Sequence, residues 1–213
     1  MKISWLGHAS FLIELKEKKI ITDPFDEKLG YPVLEREADI VLISHDHWDH
    51  NAAHVVNGNP EVVKGTGNFN VKGINIKGIA SYHDKRQGRD RGNNTIYKIS
   101  AEELDIVHLG DLGHILNNEQ IDEIGNVDIL LVPVGGVFTV DAEEAREIVK
   151  QIEPRITIPM HFKTPHLCFD LAPVEAFTAR FDNMVKRPFL EVSRENSQSL
   201  PGIIVLDYLN SHL

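Results

Sequence analysis

The segment Asp39-Ile-Val-Leu-Ile-Ser44 runs directly into His45-Asp-His-Trp-Asp-His50, and this junction constrains the chain more than any other feature. A short run of aliphatic and β-branched residues reads as a strand buried on both faces. Such a strand needs a covering layer on each side, which places the chain in the layered α/β class. The polar run must then lie where the strand leaves its sheet. If the strand end stays extended, His45, His47 and Asp49 alternate onto one side. A turn into a short helix at Asp49 then presents Asp49 and His50 together. Four potential ligands within six residues, directly after a buried strand, mark metal binding rather than a polar loop that happens to hold histidines. Two dications about 3.5–4 Å apart can draw on this one segment, one from the His45–His47 pair and one from the Asp49–His50 pair.

The rest of the chain supplies layers for such a strand. Alternating or continuous apolar runs predict strands at 11–15, 18–22, 61–64, 74–80, 95–99, 104–109, 129–133, 156–159, 189–192 and 203–206. Helices are predicted at 118–124, with Asn117 as cap and Gly125 as stop, and at 141–152, with an acidic first turn and Pro154 beyond it. A further helix is expected over 172–185, from Pro173 in its first turn and the apolar spacing that follows. A short one is expected from Asp49 to Gly58. No repeat or linker divides the 213 residues, so one domain spanning 1–213 is expected.

Composition narrows the function. A single cysteine, Cys168, excludes an intramolecular disulfide framework. The start of the chain lacks a secretory pattern and no run approaches the roughly 20 apolar residues of a membrane span, so a cytoplasmic protein without membrane contact is expected. A formal charge of −10 argues against a large nucleic-acid footprint. The 11 histidines point back to metal ligation.

The pattern His45-x-His47-x-Asp49-His50 resembles the signature of the metallo-β-lactamase superfamily. Five further segments resemble its small β-lactamase-like, Zn-dependent hydrolase branch, related to lactonases of sugar-acid phosphates and to phospholipase D-type enzymes. They are Trp5-Leu6-Gly7-His8 with Thr22-Asp23-Pro24, Ser81-Tyr82-His83-Asp84, His108-Leu109-Gly110-Asp111, and Pro159-Met160-His161. The resemblance implies a four-layer αββα sandwich with metals at one edge of its two sheets. By position it adds His83 to His45 and His47 on one metal and His161 to Asp49 and His50 on the other, with Asp111 bridging. Each of these three residues follows a predicted strand, an agreement that stands without the family. Zinc suits this mixed nitrogen and oxygen set, with manganese, iron and nickel as alternatives.

Among the other histidines, His108 reads as a core or supporting residue, and His54, His166 and His212 as surface groups. His8 and His114 are candidate substrate contacts, as is Lys163, two residues beyond His161 and facing the same way if the chain is extended. Asp23 and Asp46 can support ligand imidazoles from behind, and Trp48 can wall the site. Residues 85–91 read as a mobile basic loop at its mouth or as a solvated turn. Two dications, two carboxylates and a bridging hydroxide sum to about +1, which suits a small anionic substrate. The expected enzyme is a metal-dependent hydrolase whose bridging hydroxide attacks an ester, lactone or phosphodiester, with Asp49 and Asp111 as its catalytic carboxylates. Alternatives are a non-catalytic metal-binding scaffold that senses a ligand, a di-iron redox module, which His47 disfavours, and a nuclease, which the short chain disfavours.

Overall fold

In a computed structural model of the chain, residues 1–31 and 36–209 are described. Among them, the strands form two principal sheets. A six-stranded sheet runs in the order Leu190–Glu191, Lys2–Gly7, Ser10–Glu14, Lys19–Thr22, Ile40–Ile43, Glu61–Lys64. An eight-stranded sheet has Met184–Arg187 at one edge, then Ile203–Leu206, Ile156–Met160, Ile129–Pro133 and Leu104–His108. It continues through Asn93–Ala101 and Ile74–Tyr82 to Gly67–Val71. A small pair, Arg36–Glu37 with Val56–Asn57, lies apart.

The expected burial on both faces of Ile40–Ile43 is borne out and explained by period-two alternation. Ile20, Ile40 and Leu42 enter the main core between the sheets, with Ile3, Phe11, Ile76, Ile96 and Ile106. Ile21, Val41 and Ile43 point the other way, into a second cluster with Leu12, Ala38 and Val56. Helix Ala142–Ile152 buries Ala145 and Ile148 against the eight-stranded sheet and begins at an Asp141 capping box. Helix Asn118–Ile124 has its capping box at Asn117 and stops at Gly125. The Asn117 cap sits where the sequence places it, and Asp141, expected as the first helical residue, is instead the cap of the second helix. The architecture is the expected α/β sandwich. No helix among the described residues is long and apolar enough to cross a membrane.

Two helices differ from expectation. Over 172–185 only Glu175–Thr178 is helical, and Met184–Arg187 pairs in parallel with Ile203–Leu206. Arg146 explains the early stop: its Nη1 donates to the carbonyls of Ala176 and Phe177, both at 2.9 Å, which a longer helix would need for its next turn. Between Asp49 and Gly58 there is a turn and one 3-10 segment, Ala53–Val55, not an α-helix. Pairing of Val56–Asn57 with Arg36–Glu37 draws that chain into extended form. Lys2–Gly7, Gly67–Val71 and Met184–Arg187 are strands absent from the predicted set.

Candidate metal centre

Strand direction brings the site residues to one edge. Lys2–Gly7 and Lys19–Thr22 are each antiparallel to Ser10–Glu14, hence parallel to one another, and Ile40–Ile43 is parallel to Lys19–Thr22. Their C-terminal ends deliver His8, Asp23 and His45. In the other sheet Ile74–Tyr82 and Leu104–His108 are both antiparallel to Asn93–Ala101, and Ile156–Met160 follows the same direction through Ile129–Pro133. Those ends deliver His83, Asp111 and His161. The sheets are tied at this edge by His161 N–H donating to His8 O at 3.0 Å and Thr95 N–H to Ser44 O at 2.9 Å. His8, Asp23 and His161 have φ of 53°, 38° and 55°, so each side chain is turned off its strand by a left-handed residue. Asp and His tolerate this region better than β-branched residues do.

The seven residues expected as metal ligands converge. Asp111 Oδ2 lies 3.2 Å from Nε2 of His50, His83 and His161, and 4.0 Å from His45 Nε2. His45, His47 and His83 form one group able to hold an ion, and His50 and His161 form another with His8. His8 was expected as a substrate contact or structural residue; it is wholly buried, its Nε2 3.3 Å from Asp49 Oδ2 and its ring 4.0 Å from that of His161. Its position at the end of a strand, like that of His45, was the available signal.

These donors fit a metal ion. His8 Nδ1, His50 Nε2, both nitrogens of His161 and Asp111 Oδ1 are buried without a hydrogen-bond partner among the described residues. Buried lone pairs left unpaired are costly, and several aimed at one another are what cations satisfy. Protonation agrees. Burial and neighbouring His50 push His45 down to about 3, and burial with His161 does the same to His8. Burial would raise Asp111, yet His161 and His50 outweigh it and hold the carboxyl well below its usual range. Burial would lower His50, but Asp111 and Asp23 hold it well above its usual value. A dication replacing that proton satisfies both carboxylates.

Supporting contacts fix the donors. Asp23 accepts from Ser44 N–H at 2.7 Å and Ser44 Oγ–H at 2.6 Å, and its Oδ2 faces His50 Nδ1 at 3.1 Å. It thus stands behind His50, the role considered for it, and Ser44 Oγ meets His45 Nδ1 at 2.9 Å. Asn94 escaped notice in the sequence: its Oδ1 accepts from Asp111 N–H at 3.0 Å while its amide donates to Leu109 O at 2.9 Å. Gly110, with φ of 57°, lies so close that a Cβ there would meet Asn94 Oδ1 at 2.3 Å.

Three expectations are corrected. Lys163 does not follow the direction of His161, because the chain is left-handed at that residue; its ammonium donates to the carbonyls of Leu167 at 3.1 Å and Phe169 at 2.5 Å. Both ring nitrogens of His114 are taken by backbone, Nε2 accepting from Tyr82 N–H and Nδ1 donating to Ile115 O, so it offers no substrate contact. Asp46 points outward to Lys64 and Asn51. Of the two readings of 85–91, the structure gives the solvated turn: it is exposed, and the Asp84 carboxylate accepts from the N–H groups of Arg86, Gly88, Asp90 and Arg91 at 2.7–2.9 Å. His108 is the satisfied core histidine expected, bonded to Ala9 O and Gly110 N–H. His54 and His166 are exposed, and His212 lies outside the described residues.

Residues 2–161 match the family model of the beta-lactamase superfamily domain. A UPF0173 metal-dependent hydrolase from Thermoplasma volcanium is 34% identical over 212 residues, covering 86% of this chain and 91% of its own. Another from Methanopyrus kandleri is 29% identical over 223 residues, covering 90% and 94%. Among solved structures, a candidate zinc-dependent hydrolase of the metallo-beta-lactamase superfamily from Thermotoga maritima superposes with a TM-score of 0.83 at 39% identity, covering 96% of this chain and 97% of that one. With these relatives and a His/Asp cluster able to bind metal at the shared sheet edge, the chain belongs to the metal-dependent hydrolases of the metallo-β-lactamase superfamily.

Proposed function

We propose that this protein hydrolyses an ester, lactone or phosphodiester in a small anionic substrate at a centre of two divalent ions, zinc being the expected metal. His45, His47 and His83 would hold one ion, Asp49, His50 and His161 the other, with Asp111 between them. The observation that carries this reading is Asp111 Oδ2, equidistant at 3.2 Å from imidazole nitrogens that belong to both groups. When bound, such a metal pair polarises the substrate oxygen and makes water nucleophilic near neutral pH.

The chain's own residues supply orientation and proton transfer. Asp23 fixes the tautomer of His50, leaving its Nε2 lone pair toward Asp111. His8 holds one oxygen of Asp49 and leaves the other free. Asp49 is the member of the carboxylate pair with more solvent access, 12% of its side chain against 2% for Asp111, which suits it to pass a proton to a leaving group. Burial of most of the imidazoles keeps bulk water from competing for the donors.

Metal analysis of protein purified without added metal, followed by turnover of lactones, phosphodiesters and thioesters, tests the reading. Two metals per chain, hydrolysis of one class, and loss of both in His45→Ala and Asp111→Asn support it. Full metal and full turnover in those variants would overturn the ligand assignment. Two bound metals with no turnover across the panel would favour a ligand-sensing scaffold.

A further inference from the structure

The mouth of the histidine cluster carries an aromatic wall that the metal chemistry does not require. Trp48, between His47 and Asp49, is 45% exposed. Its ring meets Phe169 edge-on at 6.0 Å, and Phe169 meets Phe138 edge-on at 5.2 Å. Phe169 is also 6.0 Å from the His8 ring, so the wall reaches the buried centre itself. The Phe138 turn is unusual. Val137 beside it is 67% exposed and has φ of 61°, a conformation that β-branched residues avoid. Strain of this kind persists where the surrounding structure holds a residue for use.

One cation belongs to this wall. The Arg91 guanidinium lies 4.6 Å from the Phe138 ring centroid. Lys85 is paired with Glu144 and Arg86 with Asp90, but among the described residues no carboxylate lies within ion-pair distance of Arg91, and only Arg91 of this segment's cations sits on an aromatic ring of the wall. A cation seated on a ring and lacking an anion is placed to meet one from outside.

We propose that Trp48, Phe138 and Phe169 form an apolar subsite, so that the substrate carries an aryl or alkyl group beside the scissile bond and an anionic group that reaches Arg91. This rests on the hydrolase reading. For an ester of this class, one water is consumed, the acyl C–O bond breaks, and a carboxylate and an alcohol leave. With the apolar group and the anionic group both on the acyl side, the acid product is a dianion: its new carboxylate forms at the histidine cluster and its original anion stays at Arg91.

The chain has two tryptophans, and Trp5 is buried against Phe162, so a change in emission on binding reports Trp48. Metal-loaded full-length protein is titrated with phenylacetate, acetate and the dianion 4-carboxyphenylacetate. Phenylacetate is expected to shift the emission and half-saturate at a concentration about tenfold or more below acetate, since a buried ring contributes at least that much. Phe138→Ala and the milder Phe138→Leu should erase that preference with metal content unchanged. Arg91→Gln should weaken 4-carboxyphenylacetate and leave phenylacetate unaffected. Equal half-saturation by phenylacetate and acetate, or a preference surviving in both Phe138 variants, would overturn the proposal. The kcat/KM for phenylacetate esters over acetate esters gives the second arm. Hydrolysis of both at equal efficiency removes the subsite and keeps the hydrolase. Phenylacetate binding without ester turnover keeps the subsite and counts against the hydrolase.

Discussion

Replacing Asp23 by Asn should weaken one half of the metal centre selectively. Asp23 is 1% exposed and accepts from Ser44 N–H and Oγ–H while facing His50 Nδ1 at 3.1 Å. Asn fits the backbone, whose φ of 38° it tolerates. Its oxygen can keep the Ser44 N–H, which turns the amide N–H2 toward Ser44 Oγ and His50 Nδ1. His50 must then accept at Nδ1, and its proton moves to Nε2, the nitrogen 3.2 Å from Asp111. Ser44 Oγ has two lone pairs and can accept from the new amide and from His45 together, so His45 keeps its tautomer. Loss of such a supporting carboxylate typically lowers metal affinity by roughly 10–100-fold, about 1.4–2.7 kcal/mol. Competition against a chromophoric zinc chelator should show one site weakened by that factor and the other nearly unchanged. Two sites of wild-type affinity, or two weakened equally in a protein with unaltered circular dichroism, would refute the tautomer argument.

The Asp84 carboxyl is held down to about 2 against a usual 3.8: burial would raise it, but four backbone N–H donors prevail. The stabilisation is therefore complete above pH ~4 and fades as pH falls toward 2. Asp84→Asn should cost about 1–3 kcal/mol in urea unfolding at pH 6, with the difference shrinking below pH 4; a pH-independent difference would contradict this. A Cβ on Gly135 would meet His161 O at 2.1 Å, so Gly135→Ala should cost about 1–3 kcal/mol, lower the melting temperature and reduce metal retention; an unchanged melt would show that the edge can yield. Tyr97 Oη–H donates to Ile43 O at 2.9 Å beneath the histidine run, and Tyr97→Phe should cost about 0.5–1.5 kcal/mol by denaturant titration without changing metal stoichiometry.

The legible parts of this molecule were those in which local pattern and tertiary demand agree. Glu61–Lys64, Ile129–Pro133 and Ile203–Leu206 match their predicted bounds because each is a short apolar run ended by a polar residue, proline or turn. His45 to His50 stood out through density alone. His83, Asp111 and His161 were placed by strand ends and by the family resemblance, and the structure gathers all three. Where a distant side chain or a single dihedral decides the outcome, the sequence was mute. Arg146 ends the helix after Thr178 from an element some thirty residues earlier. A positive φ at His161 turns Lys163 away from the site. Asp84 entered only as the last residue of the Ser81–Asp84 motif, yet it collects the backbone donors that shape the loop.

Anomalous diffraction from crystals of the metal-loaded protein, collected at the edge of the bound metal, tests the two-ion centre most directly. The proposed function predicts two peaks about 3.5–4 Å apart, one beside His45, His47 and His83 and one beside Asp49, His50 and His161, with Asp111 between them. A single peak, or a pair lying away from Asp111, would contradict it.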